Sequence, residues 1–164
     1  MTRALLILGL AAITSVSSMA QTQKPAPAPL TYGEPIRLEQ AEKVMAAALQ
    51  EALKNNWTMA IAIVDTGGKL VMFKRADNTQ IGSVDVAISK AITANNFKRA
   101  TKVFEDAVAG GGLGLRVLSL PGVTPLEGGE LIMLNGKIIG AIGVSGGQST
   151  QDGQVAKAGL AVIN

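Results

Sequence analysis

Lys90 and Thr93 are the residues of this chain whose types and spacing first suggest chemistry. They stand three positions apart in a mostly apolar stretch, so on a helix they share one face. An ammonium and a hydroxyl can both donate hydrogen bonds to a carboxylate. The alternative is structural: a lysine whose head reaches solvent, and a threonine bonded to its own helix backbone. If the two side chains bind a carboxylate, this stretch is an anion site; if their role is structural, it is only a helix.

Two further groups of residues could take part in binding. Arg75 and Asp77 follow a predicted strand and could form a binding pair, although an exposed ion pair is the commoner outcome. The turn Ser145-Gly146-Gly147 precedes a predicted helix, where free backbone N–H groups can hold an anion. Gln151 and Asp152 fall in the first turn of that helix, where a carboxylate is more often a cap than a catalytic acid.

The composition excludes several classes of protein. The chain has no histidine, which removes His-based catalytic triads and ordinary zinc sites, and no cysteine, which removes disulfides. The 48% of hydrophobic residues must therefore form a core unaided. With 15 basic against 12 acidic residues, 3% aromatics and no basic cluster, nucleic acid is not expected as a partner. No nucleophile and base stand at a recognisable spacing.

The N-terminus has the pattern of an export signal. A basic start is followed by the apolar run Ala4–Ile13, and small residues precede Gln21 at Ser18 and Ala20. This predicts a signal peptide over residues 1–20, cleaved after Ala20, and a periplasmic or secreted protein; the alternative is an uncleaved anchor. Residues 21–35 are rich in proline and predict a flexible lead-in, so that the folded domain spans residues 36–164.

Periodicity in the remainder predicts an α+β domain with an antiparallel sheet. The second helix is expected to bury a stripe that runs from Ile81 through Val84 and Ile88 to Ala91 or Ile92, and Ser149 is expected to cap the last helix. A short strand could lie near Arg116–Leu118. The predicted helices are 38–55, 81–98, 102–109 and a last one from Ser149, and the predicted strands are 59–64, 69–74, 131–134 and 137–144.

A hairpin about Asn135-Gly136 is the centre of this prediction. Both residues must adopt positive φ in a two-residue type I′ turn, and this dipeptide favours it. The strand that follows is apolar almost throughout, which predicts burial on both faces. Gly140 and Gly143 would let a helix or ligand approach closely. The hairpin and the turn at its end, Ser145-Gly146-Gly147, are therefore expected to form the floor and rim of a small-molecule site.

Four separated motifs resemble the GlcG/HbpS family, also known as a haem-binding or haem-degrading domain. The resemblance spans about 36 to 162, with the motifs in the family's order. The matching stretches are Ile63-Val64-Asp65-Thr66-Gly67-Gly68-Lys69-Leu70, Lys90-Ala91-Ile92-Thr93-Ala94, Gly128-Gly129 with Asn135–Gly147, and Gln151-Asp152.

The resemblance implies a fold, a ligand and partners. The fold is a profilin-like or PAS-like α+β layer, with a five-stranded antiparallel sheet and packed helices. Haem is the implied cofactor, and self-association into a homo-oligomer, from dimer to octamer, is implied as well. Some members are extracellular haem sensors that act beside a membrane sensor kinase. Others are encoded with glycolate or diol catabolism or are fused to corrinoid adenosyltransferases.

The resemblance also assigns ligand-binding positions. Lys90 and Thr93 match the helix that lines the family's ligand region, and Arg75 with Asp77 matches its Arg-x-Asp element. The terminal loop and helix correspond to Ser145, Gly146, Gly147, Gln151 and Asp152. The chain departs from the family's pattern twice. Leu131 stands where the family usually has proline, and Ile92 replaces an aromatic residue and so removes a flat stacking surface.

A haem iron needs an axial ligand, and without histidine and cysteine the choices are few. Tyr32 and Thr93 are weak candidates, as is Lys90. Lys90 or Arg75 could instead pair with a propionate. Three methionines are further candidates but are expected to fill the core: Met59, Met72 and Met133.

Three functions therefore remain open from the sequence. The first is an exported oligomer that binds or senses haem or a similar anionic small molecule. The second is an accessory enzyme of hydroxy- or oxo-acid catabolism, in which Lys90 holds a substrate carboxylate or polarises a carbonyl and Asp152 or Asp65 moves protons. The third is a structural subunit of an assembly.

Overall fold

The structure is a computed structural model that describes residues 28–163. The predicted signal peptide, with its cleavage after Ala20, and the first part of the lead-in lie outside these residues. The described part contains strands β1 (Thr31–Tyr32), β2 (Ala60–Asp65), β3 (Leu70–Arg75), β4 (Gly129–Leu134) and β5 (Lys137–Ser145). The helices are α1 (Leu38–Lys54), α2 (Ser83–Phe97), α3 (Lys102–Ala109) and α4 (Ser149–Leu160), with a 3-10 helix at Gly112–Ser119.

The five strands form one sheet with β5 at its centre. Strand β5 pairs antiparallel with β4 on one side and with β2 on the other, and β3 continues the sheet beyond β2. Strand β1 pairs with the start of β5 in the parallel direction, at Thr31↔Lys137 and Tyr32↔Ile138. The predicted α+β class and five-stranded sheet are confirmed, and the two-residue parallel strand is an addition to the predicted antiparallel ladder.

The end of the lead-in is part of the sheet, which the sequence analysis did not anticipate. Besides the β1 pairs, the backbone N–H of Gly33 donates to Ile138 O at 2.7 Å, and that of Ile36 to Ile139 O at 2.7 Å. The expectation of a flexible segment is therefore wrong for Thr31–Pro35. A strand of two residues has no periodicity that could predict it, and its stability depends on a partner more than a hundred positions away.

The two faces of the sheet carry side chains of different size. Along β2, Ala60 and Ala62 face α2, whereas Ile61 and Ile63 face α1 and α4. Because successive side chains point to opposite faces, this alternation leaves small side chains on the face where α2 approaches the sheet. Gly143 marks the closest approach: a Cβ there would lie 2.0 Å from Ala87 O. As predicted, β5 is covered on both faces.

Helix α2 buries a face that coincides only in part with the predicted one: Ala91 is buried as expected, but most of the predicted stripe is not. Ile81, expected in the inward stripe, precedes the helix and is 86% exposed, and Ile88 is half-buried. The face with the smaller and more polar side chains packs on the sheet, because the alanines of β2 and Gly143 of β5 leave room only for a close, small surface. The fully buried residues of α2 are Ser83, Ala87, Lys90, Ala91, Thr93, Ala94 and Asn95.

Residues 110–126, between α3 and β4, include no buried residue. The strand considered near Arg116–Leu118 is instead part of the 3-10 helix, none of whose residues is buried. Leu113 is 79% exposed and Leu118 is 63% exposed. Among residues 28–163, no helix has the length and apolar character needed to cross a membrane.

Candidate functional site

Lys90 and Asp152 form an ion pair inside the protein. Lys90 Nζ lies 2.7 Å from Asp152 Oδ2 and also donates to Val144 O at 3.0 Å. The two side chains are 2% and 4% exposed. The lysine head does not reach solvent, so the structural alternative considered for Lys90 is wrong, and the carboxylate that the ammonium binds belongs to the protein itself. These two hydrogen bonds tie α2 to β5 and α4.

Asp152 also takes the place of the external anion expected at the glycine turn. The backbone N–H of Gly147 donates to Asp152 Oδ1 at 3.0 Å. Burial raises the pKa of the Asp152 carboxyl, while Lys90 and the N–H groups of Gly147 and Gly146 act in the opposite direction. Gly146 has φ +153°, and a Cβ there would lie 2.4 Å from Thr58 O, so the turn packs against the protein.

The cap of helix α4 lies one residue earlier than predicted. Its N-cap is Gln148, and the backbone N–H of Gln148 donates to Gln151 Oε1 at 2.9 Å. Gln151 therefore stabilises the start of the helix, the role expected of Asp152. Ser149 is the first helical residue, not the cap, and Ser145 is buried at the end of β5. All the terminal-loop residues assigned by resemblance thus lie together, and the hydrogen bonds of Gly147, Gln151 and Asp152 are made within the protein.

Thr93 holds the loop that precedes β4. Its Oγ1 donates to Gly122 O at 3.2 Å and accepts a hydrogen bond from the backbone N–H of Thr124 at 3.0 Å. The residue is 0% exposed. The hydroxyl is therefore bonded to a segment 29 to 31 positions away and not to its own helix. In this arrangement Thr93 is not presented to an iron atom.

Arg75 and Asp77 lie apart from the buried group. Arg75 ends β3, the outer strand of the sheet, and both residues are exposed. In the described part of the chain, no ion pair joins their side chains. The sequence-predicted residues thus divide into a buried set on α2, β5 and α4 and an exposed pair at the sheet edge.

The other candidate haem ligands are also engaged in the fold. The Tyr32 hydroxyl donates to Asn95 O at 2.6 Å, and burial raises the pKa of Tyr32, which disfavours the phenolate that would bind iron. Lys98 Nζ lies 4.6 Å from the centre of the Tyr32 ring. Met59 is 1% exposed in the core, whereas Met72 and Met133 are half-buried.

A buried acidic cluster adjoins the Lys90–Asp152 pair. Glu127 Oε1 accepts a hydrogen bond from Lys157 Nζ at 2.9 Å, and Glu130 Oε1 lies 3.8 Å from the same nitrogen. The backbone N–H of Glu127 donates to Glu105. Burial and then Glu127 raise the pKa of Glu130, and Lys157 partly lowers it. Within residues 28–163, no group of three or more such side chains is arranged to hold a metal ion.

An open groove lies at the opposite end of the hairpin from the glycine turn. It consists of two hollows of about 420 and 390 Å³ that share Glu34, Leu134 and Ile139. Lys137 lines the first hollow and Arg37 the second. The sequence predicts a site beside Ser145-Gly146-Gly147 and does not predict this groove. The only sequence signal for it was the Asn135-Gly136 turn, because the other wall comes from the β1–α1 connection.

Comparison with protein families gives a match over nearly the whole domain. A family model described as "Haem degrading protein HbpS-like" matches residues 36–161. GlcG of Escherichia coli strain K12 is 41% identical over 107 residues, which cover 65% of this chain and 78% of GlcG.

Solved structures agree with this match. A double mutant of HbpS from Streptomyces reticuli is similar with a TM-score of 0.73 and 31% identity, covering 85% of this chain and 99% of that one. The structure of a PduOC complex with haem is similar with a TM-score of 0.72 and 29% identity, covering 79% and 96%.

Proposed function

The chain belongs to the HbpS-like family, and on that premise we propose that it binds haem or a closely similar anionic molecule without turning it over. The observation that carries this proposal is the similarity to PduOC, whose structure is a complex with haem and 96% of which this chain covers. The HbpS-like description of the matched family supports the same ligand. The proposal concerns binding; degradation of haem is not part of it.

The residues of this chain fit the carboxylates of a haem better than its iron. A bound haem would supply a planar apolar ring, two carboxylates and an iron centre. Exposed cations such as Lys137 and Arg37 can pair with carboxylates. The chain has no histidine or cysteine for the iron, and the Tyr32 and Thr93 hydroxyls are hydrogen-bonded internally. We therefore expect porphyrin and propionate contacts to contribute most of the affinity.

The alternative, an accessory enzyme acting on a hydroxy or oxo acid, has less support. It requires Lys90 to meet a substrate, but the Lys90 ammonium is buried against Asp152. Asp65, the other candidate acid, accepts hydrogen bonds from the backbone N–H groups of Gly67 and Lys69 through one oxygen. These contacts favour a structural role for the residues on which catalysis would depend.

Titration of the protein with haemin tests the proposed function. The chain from Gln21 onward is titrated and the Soret band is followed. The expected result is a saturable shift with a defined stoichiometry. A linear increase equal to that of haemin with an unrelated protein of similar charge would contradict the proposal. Native mass spectrometry of the same sample would give the number of haems per assembly.

We further propose that the protein self-associates through the 3-10 helix and the loop after it. A soluble monomer rarely exposes a large contiguous apolar patch, and such patches commonly mark interfaces. The homo-oligomer implied by the family resemblance fits this surface, and a structural subunit would use it too. The exposed leucines of this surface are Leu113, Leu115, Leu118, Leu120 and Leu126.

Export and signalling complete the proposal. A signal peptide cleaved after Ala20 would deliver the domain to the periplasm or outside the cell, where it could report haem to a membrane sensor protein. N-terminal sequencing of the protein recovered from the periplasm or medium of its host tests the first step, and Gln21 is the expected first residue. A mature protein that still begins at Met1 would contradict cleavage.

A further inference from the structure

The groove beside the Asn135-Gly136 turn combines an apolar floor with charged ends. Leu134 and Ile139 line both of its hollows and belong to the core that packs beneath α1. Lys137 lies in one hollow and Arg37 in the other, and both side chains are exposed. Glu34 is the carboxylate that lines both hollows. The shared part of the groove thus has two apolar side chains and one carboxylate, and each hollow adds one cation.

The fold creates this groove because three segments meet at the start of β5. The β4–β5 turn supplies Leu134 and Lys137, and β1 pairs with the first two residues of β5. The chain then crosses Ile139 to begin α1, whose N-cap is Arg37. The groove therefore also adjoins the N-terminus of a 17-residue helix, which carries partial positive charge.

We propose that this groove binds the apolar body and carboxylates of an amphipathic carboxylate ligand. The apolar body would cover Leu134 and Ile139, and the carboxylates would pair with Lys137 and Arg37. The combined space of the two hollows is that of a small-molecule site. The inference rests on the proposed function in that haem is such a ligand, but the groove itself selects for the carboxylate and the apolar body and not for iron.

Charge reversal at both cations is the main test. Wild type and the R37E/K137E variant are titrated with haemin, with iron-free protoporphyrin IX and with a fluorescent fatty acid. We expect the variant to lose about tenfold or more in affinity for every ligand that the wild type binds. The matched control is K69E/K74E, which makes the same charge change at two exposed lysines at and next to β3. It should lose less than about twofold.

Glu34 provides a test in the opposite direction. Its carboxylate lies within the shared part of the groove, so like charge opposes an anionic ligand. E34Q should bind the same probes more tightly than the wild type. An unchanged or weaker affinity for E34Q, or equal losses for R37E/K137E and K69E/K74E, would overturn the inference.

The outcomes separate the groove from the haem proposal. Saturable haemin binding that is insensitive to R37E/K137E overturns the groove and leaves the proposed function standing. Absence of haemin binding, together with charge-sensitive binding of protoporphyrin or the fatty acid, overturns the haem proposal and supports the groove. Binding of none of the three probes by the wild type overturns both. Circular dichroism of each variant establishes that the fold is retained.

Discussion

The Lys90 ammonium and the Asp152 carboxylate meet 2.7 Å apart in the interior, although 62 positions separate them in the sequence. Lys90 comes from α2 on one side of the sheet and Asp152 from the first turn of α4. The second acceptor of Lys90, Val144 O, belongs to β5 between them. A Cβ on Gly128 would lie 3.0 Å from Lys90 Nζ, so the pair has close backbone on that side as well. We infer that this pair joins α2, the central strand and α4.

Removing one member of this pair should destabilise the protein strongly. K90M leaves the Asp152 carboxylate buried without its cation, and D152N leaves the Lys90 ammonium without its anion. Each should cost about 3–5 kcal/mol of unfolding free energy in urea denaturation. The double variant K90M/D152N should cost less than the sum of the two single changes, because no uncompensated charge remains. The surface change K43M, which breaks the exposed pair with Glu39, should lower the unfolding free energy far less than either buried change.

Gly143 should tolerate no larger side chain. In G143A the new methyl group would meet Ala87 O and Ala91 N, at 2.0 and 2.5 Å without relaxation. Helix α2 must then move from the sheet, at a cost of about 1–3 kcal/mol or more. Thermal and urea unfolding give the measurement. G82A is the matched control, since nothing lies within 4 Å of a Cβ there and φ is −63°. It should be neutral or slightly stabilising.

Thr93 is expected to hold the loop that precedes β4 and not to bind iron. T93V removes a hydroxyl that bonds both Gly122 O and the Thr124 N–H, so stability should fall by about 1 kcal/mol. Amide hydrogen exchange at Thr124 should accelerate. The Soret maximum of the haemin complex should stay at the wild-type position. A shifted maximum with unchanged exchange at Thr124 would instead identify Thr93 as an iron ligand.

Glu130 should make stability fall as pH rises. Burial, and then Glu127, raise the pKa of Glu130, so the native state holds this proton more tightly than the unfolded state. Stability is therefore lost as pH increases from the ordinary glutamate pKa through the raised native value. E130Q removes this loss. The difference in unfolding free energy between E130Q and the wild type should therefore shift in favour of E130Q as the pH rises through that window. Urea unfolding over about pH 3 to 8 measures the effect.

Glu39 provides a control for that experiment, because its pKa is shifted in the opposite direction from that of Glu130. The hydrogen bond from Lys43 lowers the pKa of Glu39, so its contribution is present above the ordinary glutamate pKa and is lost as pH falls. E39Q should therefore lose stability toward neutral pH, where E130Q gains it. If both variants shifted in the same direction, the assignment of burial as the cause at Glu130 would be wrong.

Charges on the exposed leucine surface should prevent self-association. L113D/L118D places two carboxylates on the 3-10 helix, where the native leucines are 79% and 63% exposed. We expect a lower mass by light scattering with an unchanged circular dichroism spectrum. The control L38D/L53D changes two exposed leucines of α1, at 58% and 71%, and should keep the wild-type mass. A wild-type protein that is monomeric at all concentrations would contradict the proposed surface.

The elements with a local sequence signal, such as a turn dipeptide or a helical periodicity, were predictable from the sequence. The Asn135-Gly136 turn has φ values of +50° and +73°, as a type I′ hairpin requires, and α3 has the predicted bounds. Helix α2 was also predicted, but its buried face was predicted only in part, at Ala91. Hydrophobicity favoured Ile81 and Ile88, whereas the surface offered by Ala60, Ala62 and Gly143 selects small side chains. The sequence of a helix does not by itself give the size of the side chains on the surface against which the helix packs.

The sequence by itself determined the α+β class, the central hairpin, the family and the absence of histidine and cysteine. These follow from periodicity, turn chemistry, motif order and composition, which are all local or additive properties. Only the tertiary structure decided that Lys90, Thr93 and Asp152 are internal partners and that the open groove lies beside Lys137. Whether a polar side chain faces solvent or another polar group depends on distant segments, such as the two residues of β1 or the first turn of α4. Pairing over such separations is set by packing and hydrogen bonding in the folded state, so residue types and spacing alone do not specify it.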